Sequence, residues 1–275
     1  MTGRPLRGPT TVAVGGFGAI GRTVAEHLDR GIPGLRLAAV SARDAAKAER
    51  VLRTFRTPVP VVPLASLAEV AEVVVECAPA EHLLEVAEPA LRAGRTLFVL
   101  SAGALLSSPH LVDLAAAHGG QIVVPTGALI GLDAVTAAAE GTITTVRMIT
   151  RKPVRGLAGA PYLVDRGIDV EALTEPRLVF EGTAREGARG FPANVNVAAA
   201  LGLAGVGPDR TRLEIWADPA LDRNTHRIEV ESDSATFSMT IANVPSDDNP
   251  RTGRITALSV VAALRKLRSP LRVGT

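Results

Sequence analysis

The chain changes its hydrophobic pattern near residue 127. Before that point, uninterrupted apolar runs such as residues 12–14 and 73–77 alternate with stretches of helical spacing such as residues 19–30. Uninterrupted runs are typical of parallel strands buried on both faces, and their alternation with helices indicates a doubly wound sheet. We therefore predict the α/β fold class, with an N-terminal doubly wound parallel sheet.

The same pattern predicts the smaller elements of this part. Ser66-Leu67-Ala68-Glu69 has the spacing of a capping box, in which Ser66 would cap a short helix. Other helices are expected where helical spacing follows a cap residue or ends at glycine. Strands are predicted at residues 35–40, 59–62, 96–100 and 122–124, and helices at residues 44–55, 81–93 and 108–118.

Beyond residue 127 the strands alternate between polar and apolar residues. Residues 142–150, TITTVRMIT, show this alternation and are rich in β-branched side chains. Alternation is typical of an antiparallel strand with one buried face. Similar strands are predicted at residues 211–217, 226–230 and 237–244, with a helix at 195–203. The C-terminal part is therefore predicted as an α+β domain with a mainly antiparallel sheet.

A glycine-rich turn follows the first strand, in TVAVGGFGAIG at residues 11–21. Gly16, Gly18 and Gly21 fill a G-x-G-x-x-G frame, and Ala19 and Ile20 open the helix. The first glycine permits the tight turn, the second lets a pyrophosphate approach, and the third lets the helix pack on the strand. The helix N-terminus attracts phosphate. The stretch predicts a Rossmann-type dinucleotide site; a glycine-rich turn without a ligand is the alternative.

These observations divide the chain into three segments. We predict a dinucleotide-binding domain over residues 1–127 and a substrate-binding, catalytic domain over residues 128–250. Residues 251–275 contain an amphipathic helix, predicted at 252–267, that could return to pack on the first domain. Its apolar positions at helical spacing are Ile255, Leu258, Val261 and Leu264.

The end of the second strand bears on the choice between NAD and NADP as cofactor. NAD sites usually place Asp or Glu there, where the carboxylate binds the ribose hydroxyls. This chain has Ser41, Ala42 and Arg43 at that position. An arginine suits a 2′-phosphate, which favours NADP, whereas an exposed surface arginine is the alternative interpretation of Arg43.

Composition narrows the function classes. The 275 residues are 47% hydrophobic and only 3% aromatic with a net charge of +2, so we predict an aliphatic core and no nucleic-acid binding. The single cysteine, Cys77, excludes an internal disulfide, fits a reducing cytoplasm and is interpreted as a packing residue. No leader or bilayer-spanning run is visible, so no membrane partner is expected. One cysteine and five scattered histidines predict no metal site.

Among the histidines, His226 is the candidate for chemistry. It opens the strand HRIEV, whose alternation places it with Ile228 and Val230 on an apolar face. A core histidine is therefore the alternative. The polar loop at residues 218–224 favours a functional site, because loop–strand junctions commonly carry one. Surface positions are expected for the others, His27, His82, His110 and His118.

Two asparagines precede the apolar helix in FPANVNV, residues 191–197. Asn194 is predicted to cap this helix. Asn196 lies further in, and its amide could reach the carboxamide of a nicotinamide.

The chain resembles the L-aspartate dehydrogenase family over nearly its whole length. The glycine loop is the least specific part of this resemblance, and the R-N-x-H and N-P-[KR]-T motifs are the most specific. The stretches that carry it are GGFGAIG (15–21), SAGAL (101–105), PTGALIGLDA (125–134), RKP (151–153), FEGTAREGARGFPANVNVAAALGLAG (180–205), ADPALDRNTH (217–226) and NVPSDDNPRTGRITALS (243–259).

The resemblance implies NAD(P)-dependent oxidative deamination of L-aspartate through 2-iminosuccinate, to oxaloacetate and ammonia, and the reverse amination. It implies that His226, with Asn224, is catalytic, that Ala128 and Asn196 contact the cofactor, and that the protein is a homodimer. The loop GALIG at residues 127–131 departs from the G-A-I-G that family members often carry. This departure would alter the pocket beside the nicotinamide.

The expected mechanism needs a base and two anion-binding groups. Hydride transfer from Cα requires a neutral amine, and a histidine with a pKa of about 6.5, such as His226, can accept its proton. The same imidazole could activate the water that attacks the imine. Lys152 and Arg223 are the candidates to bind the two substrate carboxylates, with simple surface charge as the alternative.

Two other functions stay open at this point. One is a dehydrogenase of the same fold that acts on a different imine or keto acid. The other is a non-catalytic NAD(P)-binding sensor, which the Asn224–His226 pair argues against because a sensor needs no proton-transfer group.

Overall fold

The computed structural model describes residues 8–192, 195–246 and 252–274, which form two compact units. The first comprises the chain up to Ser101 together with Ser108–Pro125 and Val260–Arg272. The second comprises Ala102–Ser107, Thr126–Ser259 and the last residues of the chain. The predicted helix cap Asn194 and residues 249–251 of the N-P-[KR]-T motif lie outside the described residues.

The first unit is built on a five-stranded parallel sheet with the order β2-β1-β3-β4-β5. Its strands form because valine-rich runs are buried on both faces, and Val12, Val75 and Phe98 lie in one core cluster. The predicted doubly wound parallel sheet is confirmed. Its strands are β1 (Thr10–Gly15), β2 (Leu35–Ser41), β3 (Val73–Glu76), β4 (Thr96–Val99) and β5 (Gln121–Val123).

Helices alternate with these strands. Val24 and Leu28 of α1 pack into the core cluster, and so do Val260 and Leu264 from the C-terminal part of α11. The helices of this unit are α1 (Ala19–Gly31), α2 (Ala45–Leu52), α3 (Leu67–Val70), α4 (Leu83–Arg92) and α6 (His110–His118), with the C-terminal part of α11 (Arg254–Arg268). A further short helix, α5 (Ala102–Leu105), belongs to the second unit.

Two predictions in the first unit are wrong. Residues 59–62 do not form a strand; Val61 makes an isolated bridge to Val40, since the flanking prolines have no N–H for a ladder. Ser66 makes no side-chain capping bond, because the chain enters α3 through a 3-10 turn, Leu64–Ser66, instead of an extended cap.

The second unit contains a mixed sheet with the order β10-β9-β6-β8-β7. The central strand β6 pairs antiparallel with β9 and parallel with β8, so one pairing departs from the predicted antiparallel pattern. The strands are β6 (Ile143–Lys152), β7 (Arg177–Thr183), β8 (Thr211–Ala217), β9 (Thr225–Ser232) and β10 (Thr236–Ala242). Its helices besides α5 are α7 (Leu132–Ala139), α8 (Pro161–Asp165), α9 (Ala184–Gly190) and α10 (Asn196–Ala204).

One face of this sheet is buried. On β6 the buried side chains include Met148, Thr150 and Lys152, which recur at every second residue as a half-buried strand requires. The apolar part of this face forms the core, and its polar end carries the candidate site. Throughout the three described stretches, no helix combines the length and apolar character needed to cross a bilayer.

Candidate active site

The glycine loop between β1 and α1 has the geometry that its sequence requires. Gly16 has φ of +104°, and a Cβ there would lie 2.5 Å from the carbonyl oxygen of Cys77. A Cβ on Gly21 would collide with the carbonyl oxygen of Gly16, so only glycine permits this helix packing. A Cβ on Gly18 would meet nothing within 4 Å, which leaves open space where a phosphate would approach.

The N-terminus of α1 suits an anion. Gly18 is its N-cap, Ala19 is its first residue, and its first turn contains no acidic side chain. The N–H groups of this turn and the helix dipole therefore favour a phosphate. Residues 16–21 fit the pyrophosphate of a dinucleotide, and contact of Ala19 and Ile20 with it stays a prediction.

The end of β2 exposes Arg43. The carboxylate nearest along the chain, Asp44, accepts a hydrogen bond from the backbone N–H of Lys47 at 2.9 Å and so caps α2. One oxygen of Asp44 is thereby engaged in the helix cap, while the Arg43 side chain is exposed at the strand end. This arrangement leaves both cofactors possible.

In the second unit, His226 is buried beside Thr150. It lies directly opposite Thr150 across the antiparallel β6–β9 pairing. The residue is 2% exposed, and its Nδ1 lies 3.2 Å from Thr150 Oγ1, within hydrogen-bonding distance. Ile228 and Val230 are buried on the same face, so the predicted inward direction of His226 is confirmed.

Lys152 shares this buried face. It ends β6 two residues after Thr150 and is 4% exposed, which makes it a neighbour of His226 on the pleated surface. Burial lowers the pKa of Lys152 to about 8. Burial, and secondarily the charge of Lys152, lower the pKa of His226 from its usual 6.5 to about 3. The expectation of an ordinary histidine pKa is therefore wrong, because the imidazole is out of water.

The other predicted side chains are arranged differently. Arg223 donates to the carboxylate of Asp222 at 2.9 and 3.2 Å in a surface ion pair. Of the two candidate carboxylate-binding residues, only Lys152 thus lies in the buried His226 cluster. Asn224 lies just before β9, and its carbonyl accepts a bond from Asn243 N–H at 2.8 Å.

The four remaining histidines lie on helices of the first unit, as predicted. His82, His110 and His118 are exposed. His27 is half-buried and contacts the Thr23 carbonyl through Nδ1 at 2.8 Å. Within the described stretches, no group of three or more His, Cys, Asp or Glu side chains is placed to hold a metal ion.

Ala128 and Asn196, the predicted cofactor contacts of the second unit, are held by long-range hydrogen bonds. Asn243 Nδ2 donates to the Ala128 carbonyl at 3.0 Å, and Gly127 N–H donates to Ser259 Oγ at 3.1 Å. These bonds fasten the loop at residues 127–131. Asn196 Oδ1 accepts from the N–H of Gly103 at 3.1 Å and holds the SAGAL segment.

Sequence reasoning did not single out Thr150 and Asn243. Alternation in TITTVRMIT places Thr150 on the face of Met148, yet only the β6–β9 register brings it to His226. Asn243 lies in a stretch that carried the family resemblance. It is 3% exposed, and no described group bonds to its Oδ1.

Comparison with known proteins covers the whole chain. The families described as "Homoserine dehydrogenase, NAD binding domain" and "Aspartate dehydrogenase, C-terminal" match residues 16–125 and 133–267. The L-aspartate dehydrogenase of Bradyrhizobium diazoefficiens is 57% identical over 275 residues, covering 100% of this chain and 98% of that protein. L-aspartate dehydrogenase 3 of Bordetella bronchiseptica is 57% identical over 265 residues, covering 96% and 97%.

A solved structure agrees with these relatives. The crystal structure of aspartate dehydrogenase from Thermotoga maritima is similar with a TM-score of 0.71 at 25% identity, and the match covers 96% of this chain and 99% of that one. The likeness therefore extends over both sheets.

Proposed function

This chain belongs to the L-aspartate dehydrogenase family, and we propose that it catalyses the NAD(P)-dependent oxidative deamination of L-aspartate with His226 as the acid–base residue. The products are oxaloacetate and ammonia, formed through 2-iminosuccinate, and the reverse amination uses the same groups. The observation that carries the assignment of residues is the buried cluster of Thr150, Lys152 and His226.

A dicarboxylate substrate suits this cluster. An anionic partner strongly stabilises the charged form of Lys152, because burial has already deprived the ammonium group of hydration by water. We assign it to one substrate carboxylate. Arg223 stays a candidate for the other only if it leaves Asp222 when substrate binds.

His226 supplies the proton transfer. Burial disfavours the charged form of its imidazole and lowers its pKa, so the neutral form is available as a base. Two substrate carboxylates would offset the charge of Lys152 and raise the pKa of the imidazole, so that it takes a proton from the substrate ammonium. A nicotinamide cofactor held by the glycine loop would supply the acceptor for the hydride that leaves Cα. Once it has released this proton to solvent, the imidazole can take a proton from the water that adds to the imine carbon and deliver it to the nitrogen. The nitrogen then leaves as ammonia, and the new hydroxyl loses its proton to form the carbonyl.

We assign the cofactor to the glycine loop residues Gly16, Gly18 and Gly21, with Ala128 and Asn196 as further contacts. The exposed Arg43 at the end of β2 supports use of NADP as well as NAD, since a guanidinium can bind a 2′-phosphate. Arg43→Ala is expected to weaken NADPH binding about tenfold while NADH binding changes little.

The reductive direction gives the sharpest test. Oxaloacetate, ammonium and NADH or NADPH are mixed with the protein, and the absorbance of the reduced cofactor is followed. We expect oxidation that requires ammonium and falls about 1,000-fold or more in His226→Ala. His118→Ala, an exposed histidine, is the matched control and should retain wild-type rates.

Three results would contradict parts of this proposal. Ammonium-dependent turnover of another keto acid but not oxaloacetate would assign a different substrate. Cofactor binding without turnover of any keto acid would favour a sensor. Full activity in His226→Ala would remove the acid–base role from this residue.

We further propose a cytoplasmic homodimer. The single cysteine suits a reducing compartment, and the family resemblance implies the dimer. Sedimentation equilibrium of the purified protein should give twice the chain mass of 28.5 kDa, and a monomer would contradict the assignment.

A further inference from the structure

A buried carboxylate lies at the carboxyl end of β3. Glu76 follows three valines and is 0% exposed. The register places it beside Gly15 of β1 and Val99 of β4, in the middle of the parallel sheet. Burial raises the pKa of this carboxyl, since the charged form loses its hydration. A group this costly to bury requires compensating hydrogen bonds.

Its donors come from the segments that leave two neighbouring strands. Leu100 N–H and Ser101 N–H both donate to Glu76 Oε2, at 3.1 and 2.9 Å. Ser101 Oγ donates to Oε1 at 3.0 Å. Glu76 thus ties the exit of β3 to the exit of β4.

These two exits lie next to the glycine loop. Cys77 N–H donates to the Gly15 carbonyl at 2.7 Å, and Gly16 packs against the Cys77 carbonyl. In open α/β sheets, ligands bind outside the carboxyl ends of the strands. The segments that Glu76 holds therefore border the dinucleotide site of the first unit.

The other end of β3 offers an internal comparison. Glu72, immediately before the strand, accepts bonds from Thr11 N–H at 3.1 Å and Thr11 Oγ1 at 3.4 Å, and it is exposed. Both carboxylates tie β3 to a neighbouring strand. Of these two carboxylates, only Glu76 is fully buried, and it accepts bonds from two backbone N–H groups and a hydroxyl.

We propose that Glu76 is a positioning residue for the cofactor. Its carboxylate holds residues 100–101 beside the exit of β3, as a preformed surface against which the bound NAD(P) lies. Loops that are already ordered before binding lose less conformational entropy when the cofactor binds. The hydrogen bonds of Glu76 therefore strengthen cofactor affinity without any contact to the substrate.

The test compares Glu76→Gln, Ser101→Ala and the control Glu72→Gln. The dissociation constants of NADH and NADPH are measured by cofactor fluorescence, and amide hydrogen exchange of residues 100 and 101 is measured in the cofactor-free protein. Glu76→Gln keeps the side-chain shape but loses the charge, so cofactor affinity should fall about tenfold and both amides should exchange faster. Ser101→Ala, which removes one bond, should lose about threefold.

Glu72→Gln should change cofactor affinity less than about twofold, even where it lowers the unfolding midpoint as much as Glu76→Gln does. The KM for L-aspartate at saturating cofactor should be unchanged in all three variants. Wild-type cofactor affinity in Glu76→Gln, or an equal loss in Glu72→Gln, would overturn the proposal. If Glu76→Gln fails to fold, wild-type affinity in Ser101→Ala overturns it.

Discussion

Each unit buries polar side chains where strands of its sheet begin or end, but these side chains have different partners in the two units. In the first unit, the Glu76 carboxylate accepts bonds from backbone N–H groups and a hydroxyl. In the second, the neutral hydroxyl of Thr150 lies beside His226, and the nearby charge is that of Lys152. Burial raises the pKa of Glu76 and lowers the pKa of Lys152 and His226, so it favours the neutral form throughout.

This difference separates a structural role for Glu76 from a reactive role for Lys152 and His226. Backbone donors cannot move without moving the chain, so the bonds of Glu76 give rigidity to the segments around it. A neutral imidazole and an ammonium group with a pKa of about 8 can exchange protons or accept an anion when a ligand arrives. Changes at Glu76 should therefore alter cofactor affinity, and changes in the second cluster should alter substrate binding and turnover.

The largest effect is expected from Lys152→Met. Methionine keeps an unbranched side chain, one atom shorter, and removes the charge that we assign to a substrate carboxylate. We expect kcat/KM for L-aspartate to fall about 1,000-fold, chiefly through KM, because the loss of a buried ion pair costs several kcal/mol. Steady-state kinetics at saturating cofactor, with NADH affinity measured in parallel, check this expectation.

Arg151→Met is the matched control for Lys152→Met. Arg151 is the preceding residue, lies on the opposite face of β6 and is exposed over Trp216. Arg151 also pairs with Asp218, but at 3.8 Å and from an exposed guanidinium, so the pair is weak and we expect less than a threefold loss of kcat/KM there. Equal losses in both variants would show that β6 is generally sensitive and that Lys152 has no special role.

The sequence indicated those features that depend on local periodicity. The glycine frame, the valine runs and the alternation in HRIEV predicted the dinucleotide loop, the parallel sheet and the inward direction of His226. Features that depend on distant pairing were missed. The donors of Glu76 lie 24 and 25 residues away, and Thr150 lies 76 residues from His226. The parallel β6–β8 pairing and strand β7 likewise depend on contacts that no local pattern encodes.

The altered pKa values could not be predicted for the same reason. A histidine on an apolar face has its usual pKa until neighbouring elements remove it from water, and that removal depends on the packing of the whole second unit. The VVVEC run likewise predicted a buried strand without revealing that Glu76 would be compensated by loop N–H groups.

The next largest effect is expected in the pH dependence of the free energy of unfolding. The pKa of His226 is about 3 in the folded protein against 6.5 in the unfolded chain, so the unfolded chain binds the extra proton between these values. The contribution of the neutral His226 to the free energy of unfolding is therefore fully present above pH 6.5, and it should be lost as the pH drops toward 3. We expect the free energy of unfolding, from urea titrations, to decline by about a few kcal/mol more in wild type than in His226→Gln.

Glu76 provides the contrast in the same titrations. Its folded pKa is raised, so its contribution has the opposite sign: it is present below the unfolded pKa and lost as the pH rises through the folded value. Glu76→Gln should therefore make the acid loss of stability steeper, whereas His226→Gln makes it shallower. Parallel curves for wild type and His226→Gln would show that the imidazole is not desolvated as described.

The smallest effect is expected from Thr150→Val, which preserves β-branching and removes the hydroxyl beside His226 Nδ1. One neutral hydrogen bond contributes about 1 kcal/mol, so kcat should fall about 5- to 10-fold while KM for L-aspartate is unchanged. Thr150→Ser, which keeps the hydroxyl, should restore most of the rate. Thr145→Val, on the exposed part of β6, is the control. If Thr150→Ser were as slow as Thr150→Val, a hydroxyl at this position would not be enough to restore the rate, and the assignment of Thr150 Oγ1 as the group that positions the imidazole would be contradicted.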